Sequence, residues 1–219
     1  MLINNIKYIM EIEVFTDGSF IKNKYGNIKC GYGVYFPNNE LPNISESLEL
    51  EPKTNQRAEL YAIYVALKNI IDNLNFKQIN IYTDSEYSLN SLTKWAYNWE
   101  KNGWIGSNKK DIKNQDIIKP TFDILKKYKG MINIIHVYSH TGKKDKLSIN
   151  NDIADKLAVD GANKTINNNT NNNININTNK NIKQKRTTKN KKSNEIVELN
   201  FDYSKIKILK IGNKNVIVK

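Results

Sequence analysis

The hydrophobic pattern of this chain changes period near residue 55, and that change limits the folds open to it. Before it, "EIEVFT" (11–16) and "CGYGVYF" (30–36) are β-rich runs separated by a polar, glycine-containing turn. "ISESLEL" (44–50) alternates apolar and polar residues with period 2, as a half-exposed edge strand does. Together the three runs predict an antiparallel meander. From residue 55 onward, "NQRAELYAIYVALKNIIDNL" (55–74) sets Ala58, Ala62, Val65 and Ile70 at helical spacing, with Thr54 or Asn55 available as N-cap. A short strand "INIYT" (79–83) follows, then a helix from Ser85 to about Trp99, a lysine-rich loop and a helix from about Asn114 to Tyr128. "INIIHVYS" (132–139) reads as a buried strand and "NNDIADKLAVDGA" (150–162) as a closing amphipathic helix. The order β-β-β-α-β-α-α-β-α predicts an α/β fold, a mixed sheet with helices on its faces.

A chain of 219 residues accommodates one good core more readily than two. The domain reading is an N-terminal extension (1–10), a main body (11–162), an Asn/Lys-rich linker (163–194) and a small β-rich C-terminal segment (195–219). The linker is expected to be disordered, because its composition buries too little surface to offset the entropy of ordering. In the last segment Val197, Leu199, Phe201 and Tyr203 alternate with polar residues, and Gly212-Asn213 offers a turn between two further β-prone runs. Cys30 is the single cysteine, which excludes an internal disulfide, and no zinc-type Cys/His spacing occurs. No apolar run approaches the ~20 residues of a membrane span. A soluble intracellular protein, cytoplasmic or nuclear, with no membrane partner is the expectation.

The net charge of +12 is unevenly placed. Residues 1–162 hold 21 lysines and arginines against 19 acids, and residues 163–219 hold 13 against 3. The basic tail could bind nucleic acid or a protein partner, and "KQKRTTKNKK" (183–192) could be a nuclear address or a solvated charge run. Within the body, residues 94–129 carry nine lysines against four acids, together with three tryptophans.

Four acids are badly placed for solvated surface charges. Asp17 interrupts a β-rich run, Asp84 ends another in "IYTDSEY", Glu59 lies on the buried-looking side of its helix, and Asp155 is flanked by Ala154, Leu157 and Ala158. Taken singly each has an ordinary explanation; Asp84, for one, could cap the helix starting at Ser85. Taken together, four half-buried carboxylates without matched arginines repel one another unless a cation sits among them. Oxygen-only ligands at loose spacing suit Mg²⁺ or Mn²⁺ better than zinc.

"FTDGS", "TNQRAEL", "YTDSEYS", "WAYNWEKNGW" and "SHTG" followed by "NNDIADKLA" occur in an order and spacing that resembles type 1 ribonucleases H over roughly residues 11–162. The resemblance implies a five-stranded mixed sheet, its first three strands antiparallel, flanked by helices. It implies endonucleolytic cleavage of the RNA strand of an RNA–DNA hybrid, leaving 5′-phosphate and 3′-hydroxyl ends. Asp17, Glu59, Asp84 and Asp155 fall on the family's metal-binding carboxylates, which implies two Mg²⁺ ions about 3.5–4 Å apart, Mn²⁺ being an alternative. His140 falls on the family's histidine, which moves protons or helps release product, whereas His136 reads as structural. The stretch between His140 and the closing helix is several residues longer than usual, and its lysines Lys143, Lys144 and Lys146 read as solvated loop.

The resemblance also implies substrate contacts. Asn55 and Gln56 match minor-groove contacts, where 2′-hydroxyls mark one strand as RNA. Thr54 and Asn114 match a pocket for a DNA-strand phosphate, and Ser19 joins the substrate set. Trp95, Trp99 and Trp104 with Lys101, Lys109, Lys110 and Lys113 match a basic protrusion that binds the DNA strand. The partner expected is thus an RNA–DNA hybrid and the body is expected to be monomeric. No hybrid-binding domain precedes the body in this sequence, and the basic tail is the candidate for that role. The competing readings are a mobile-element-derived nuclease domain and a hybrid-binding module without catalysis.

Overall fold

The computed structural model describes residues 9–139, 145–164, 207–211 and 214–218. The chain divides into two units, residues 1–169 and 170–219. In the first, the elements run β1 (Ile9–Lys22), β2 (Ile28–Tyr35), β3 (Ile44–Ser47), α1 (Asn55–Asn73), β4 (Phe76–Thr83), α2 (Glu86–Asn90), a π-helical turn (Ser91–Trp95), α3 (Ala96–Lys101), α4 (Gln115–Lys127), β5 (Ile132–His136) and α5 (Lys146–Asn163). They form one five-stranded sheet of order β3-β2-β1-β4-β5. The pairs β1–β2 and β2–β3 are antiparallel, while β1–β4 and β4–β5 are parallel. The mixed sheet with an antiparallel first half is the predicted fold class. In the second unit, β6 (Lys207–Ile211) and β7 (Lys214–Val218) pair antiparallel with Ile208 opposite Ile217. The predicted linker from residue 165 and the run Val197 to Tyr203 lie outside the described residues. No helix among the described residues is long and apolar enough to cross a membrane.

Some boundaries differ from the sequence reading for identifiable reasons. Strand β1 continues through the Asp17-Gly18-Ser19 triplet, because Asp17, Gly18 and Ser19 all pair with β2. Helix α5 starts at Lys146 rather than near Asn150, because Asp145 caps it: its carboxylate accepts from the Ser148 N–H at 3.0 Å. Part of the long stretch after His140 is therefore an extra helical turn. The expected helix from Ser85 is broken by the π turn, in which the Ala96 N–H reaches back five residues to the Ser91 carbonyl.

The sheet separates two layers of helices. Along β1 and β2 the side chains alternate in direction. An ideal Cβ at Gly18, opposite Tyr32, would meet α1, and one at Gly31 or Gly33 would meet α5. On the α1 side Ile12, Val14, Ile79 and Ile81 of the sheet pack with Leu60, Ile63, Leu67 and Ile70 of α1 and Ile118 and Phe122 of α4. Each such fully buried side chain contributes about 1.5–3 kcal/mol. Helix α1 begins with the Thr54 hydroxyl accepting from the Arg57 N–H at 3.3 Å, and Ala58, Ala62 and Ala66 keep its sheet-facing side narrow.

Trp104 is a correction to the substrate set. It is buried, stacked edge-on against Phe122 at 6.2 Å, because its N–H bonds the Trp99 carbonyl and its φ of +65° turns the chain inward after α3.

On the other side, α5 meets the sheet through Ala154, Ala158, Gly161 and Ala162, and its backbone fills the space that side chains on Gly31 and Gly33 would take. A Cβ on Gly33 would stand 2.3 Å from the Ala154 carbonyl oxygen and 2.6 Å from the Ala158 nitrogen, atoms that a side-chain rotation cannot move. Gly33→Ala is expected to cost about 1–3 kcal/mol, lowering Tm by roughly 2–4 °C per kcal/mol. A thermal melt indistinguishable from wild type would show that α5 is not seated in this way.

Candidate active site

Asp17 occupies the middle of β1 opposite Gly33 and is buried. One ligand atom each of Asp17, Glu59 and Asp84 lies within 4.8 Å of the others. Three elements deliver them: β1 carries Asp17, the second turn of α1 carries Glu59, and Asp84 stands on the bend between β4 and α2. Asp155, on α5 at the opposite face of the sheet, stands close enough for its charge to raise the Asp17 carboxyl. The four acids singled out in the sequence thus meet at one place.

The backbone takes part in this arrangement. The Gly18 N–H donates to Asp17 Oδ1 at 2.8 Å and to Glu59 Oε2 at 3.1 Å, so one amide serves two carboxylates. A Cβ at Gly18 would lie 2.2 Å from the Glu59 nitrogen; only glycine lets α1 come this near. Asp84 is held from two other elements. The His136 Nε2–H of β5 donates to the Asp84 main-chain carbonyl at 3.1 Å, and the Asn151 amide of α5 donates to Asp84 Oδ2 at 3.4 Å. Asn151 is 1% exposed, and the sequence reading missed it. Its signal was available: it precedes Asp155 by four residues and so shares a helix face with it.

Among the described residues no lysine or arginine forms an ion pair with any of the four acids. Burial, and after it the charges of Asp84 and Asp155, push the Asp17 carboxyl up to about 8. Burial and the charges of Asp17 and Asp84 push Glu59 well above the ordinary carboxylate range. A compact set of carboxylate oxygens that resists ionising without a cation is the donor set of a hard divalent metal. Asp17, Glu59 and Asp84 could hold one, with Asp155 beside them.

A second group lies near the N-terminus of α1. Gln56, Trp95 and Trp99, with Tyr87 and Lys113, line a groove of about 470 Å³. Trp95 is 40% exposed and leans on Trp99 at 5.8 Å and Tyr87 at 6.1 Å. Lys113 Nζ donates to Gln56 Oε1 at 3.3 Å, and the buried Asn114 donates to the Tyr87 hydroxyl at 2.9 Å. Asn55 links this group to the acids through a 3.4 Å hydrogen bond to Glu59 Oε1. Lys101, Lys109 and Lys110 are exposed and do not line the groove. Ser19 is buried two residues beyond Asp17 and on the same side of β1, and Thr54 is occupied as a helix cap. His140, Lys143 and Lys144 lie outside the described residues.

Residues 10–163 match the sequence model of the RNase H family, which covers well over half of the chain. The chain belongs to the RNase H family. It is 40% identical over 136 residues to a protein named probable ribonuclease H of Acanthamoeba polyphaga mimivirus, a match that covers 61% of this chain and 58% of that relative. The chain therefore spans little more than half the length of the mimivirus protein. It is 35% identical over 152 residues to ribonuclease HI of Haemophilus influenzae, covering 69% of this chain and 90% of that protein. The solution structure of the PFV RNase H domain superposes with a TM-score of 0.56 at 28% identity, over 69% of this chain and 93% of that domain.

In this RNase H chain the raised carboxyls give stability a direction with pH. Folded Asp17 keeps its proton up to about 8, whereas in the unfolded chain it ionises near 4. The folded state binds the extra proton between those values, so metal-free stability falls as pH rises from about 4 to about 8. Asp17→Asn is expected to flatten that dependence and to raise metal-free stability at pH 8 by about 1–3 kcal/mol. Melts in chelator across this range check it, and a variant less stable than wild type at pH 8 would refute the electrostatic account. Adding Mg²⁺ at pH 8 is expected to raise the Tm of wild type more than that of the variant.

Proposed function

We propose that this chain is a metal-dependent endoribonuclease that hydrolyses the RNA strand of RNA–DNA hybrids, leaving 5′-phosphate and 3′-hydroxyl ends. The observation that carries the reading is the cluster of Asp17, Glu59 and Asp84 within 4.8 Å, without a cationic partner among the described residues, in a chain of the RNase H family. Asp17, Glu59, Asp84 and Asp155 would hold two Mg²⁺ ions, which supply activation of the attacking water and charge stabilisation at the leaving 3′-oxygen. The chain's own contribution is placement. Asp17 on a central strand and Glu59 and Asp155 on helices packed against it are rigid mounts for ligands.

Substrate is positioned by the second group. Asn55 and Gln56, at the start of α1, are placed to meet the hybrid's minor groove, where a 2′-hydroxyl distinguishes RNA from DNA. Trp95, Trp99 and the lysines at 101, 109, 110 and 113 take the DNA strand through backbone contacts, so affinity falls with salt and is indifferent to sequence. His140 is assigned the proton or product-release role.

The test is cleavage of an end-labelled hybrid with Mg²⁺, beside RNA duplex, DNA duplex and single-stranded RNA. Wild type is expected to cut only the RNA of the hybrid, and Asp84→Asn is expected to lose about 10³-fold in rate, the several kcal/mol that catalytic metal supplies. Equal cutting of RNA duplex, or an Asp84→Asn variant as fast as wild type, would overturn the assignment. Hybrid binding without cleavage would make the body a binding module.

A further inference from the structure

We infer that the ion pair between Arg57 and Asp116 is a positioning device for the hybrid, fixing the first turn of α1 against the first turn of α4. The inference rests on the proposed function and deepens it. The guanidinium donates both terminal nitrogens to the two carboxylate oxygens, at 2.8 and 2.5 Å, across 59 residues of sequence. Arg57 is 3% exposed, so its charge has no solvent to turn to, while the Asp116 side chain stays more than half exposed. The same fork holds the Asp116 carboxyl below the usual carboxylate range.

The location gives the pair its role. Asn55 and Gln56 immediately precede Arg57, and Lys113 and Asn114 stand three and two residues before Asp116. Each end of the bridge is thus anchored in the turn that carries one set of substrate side chains. Apolar packing of Ile117 and Ile118 in the shared core brings α4 to α1, but apolar contact is non-directional and leaves helices free to slide or rotate. A planar bidentate fork fixes direction as well as distance. The other polar link here, Lys113 to Gln56, is exposed and single. The guanidinium makes no hydrogen bond to the four clustered acids, so its influence falls on binding before chemistry.

Asp116→Asn and Arg57→Lys separate this role from simple stability. With hybrid and Mg²⁺, each is expected to raise KM about 10-fold while kcat stays within about threefold of wild type. Asp116→Glu, which keeps the carboxylate, is expected to recover most of the affinity. Ile79→Val, a fully buried core change, serves as the control and is expected to lower Tm without moving KM. If Asp116→Asn does not fold, Arg57→Lys carries the test, since it keeps the buried charge and removes only the fork. Unchanged KM with a lowered Tm, or a fall in kcat at constant KM, would overturn the inference while leaving the nuclease reading intact. Should wild type not cut, fluorescence anisotropy of a labelled hybrid decides: a Kd about 10-fold weaker in both variants supports the pair's role, and an equal Kd refutes it. A wild type that neither cuts nor binds hybrid overturns the proposed function and the inference with it.

Discussion

A Cβ on Gly18 would lie 2.2 Å from the backbone nitrogen of Glu59, and one on Gly33 would lie 2.3 Å from the backbone oxygen of Ala154. In both places a helix occupies the volume that a strand side chain would otherwise fill. These backbone approaches, one on each face of the sheet, bring Glu59 from one side and Asp155 from the other toward Asp17 on the strand between them. A wider gap between helix and sheet would leave each carboxylate solvated and independent. At this gap they share one desolvated space, and their charges are felt by one another.

The rest of the fold must offset that concentration of like charge. It does so with an apolar layer beneath α1, where Phe36, Leu60, Ile63, Leu67, Ile79, Ile81 and Phe122 are fully buried, and with the Ala58, Ala62 and Ala66 stripe that lets α1 lie close. Stability and function pull in opposite directions at this cluster, as they do where a site is held in a state that the isolated chain disfavours. A divalent cation bound there would reconcile the two by turning mutual repulsion into shared attraction. The backbone amide of Gly18 contributes in the same sense, donating to Asp17 and Glu59 together.

The acids were legible in the linear sequence because a charge on an apolar face is a local anomaly. Asp17 interrupts a β-rich run, Glu59 sits among the buried-side residues of a period-3.6 run, and each stands out from its immediate neighbours. Element types were legible for the same reason. Other features were hidden because their causes are not local. Trp104 has the spacing and company of a surface tryptophan, yet a left-handed residue after α3 folds it into the core. The π turn at Ser91–Trp95 leaves no mark on the hydrophobic pattern, since one added residue per turn changes hydrogen bonding before it changes composition. Asp145 as a cap was readable in principle, but it lies before residues whose apolar periodicity begins only later.

By itself, then, the sequence determined the fold class, the order of strands and helices, and which four acids were out of place as surface charges, because periodicity and misplaced charge are properties of neighbouring residues. Tertiary structure alone decided that those acids meet, that Asn151 and His136 grip Asp84, and that Arg57 finds Asp116 across 59 residues. Those outcomes depend on how closely two helices approach a sheet, and that distance is set by packed volume on both of its faces at once.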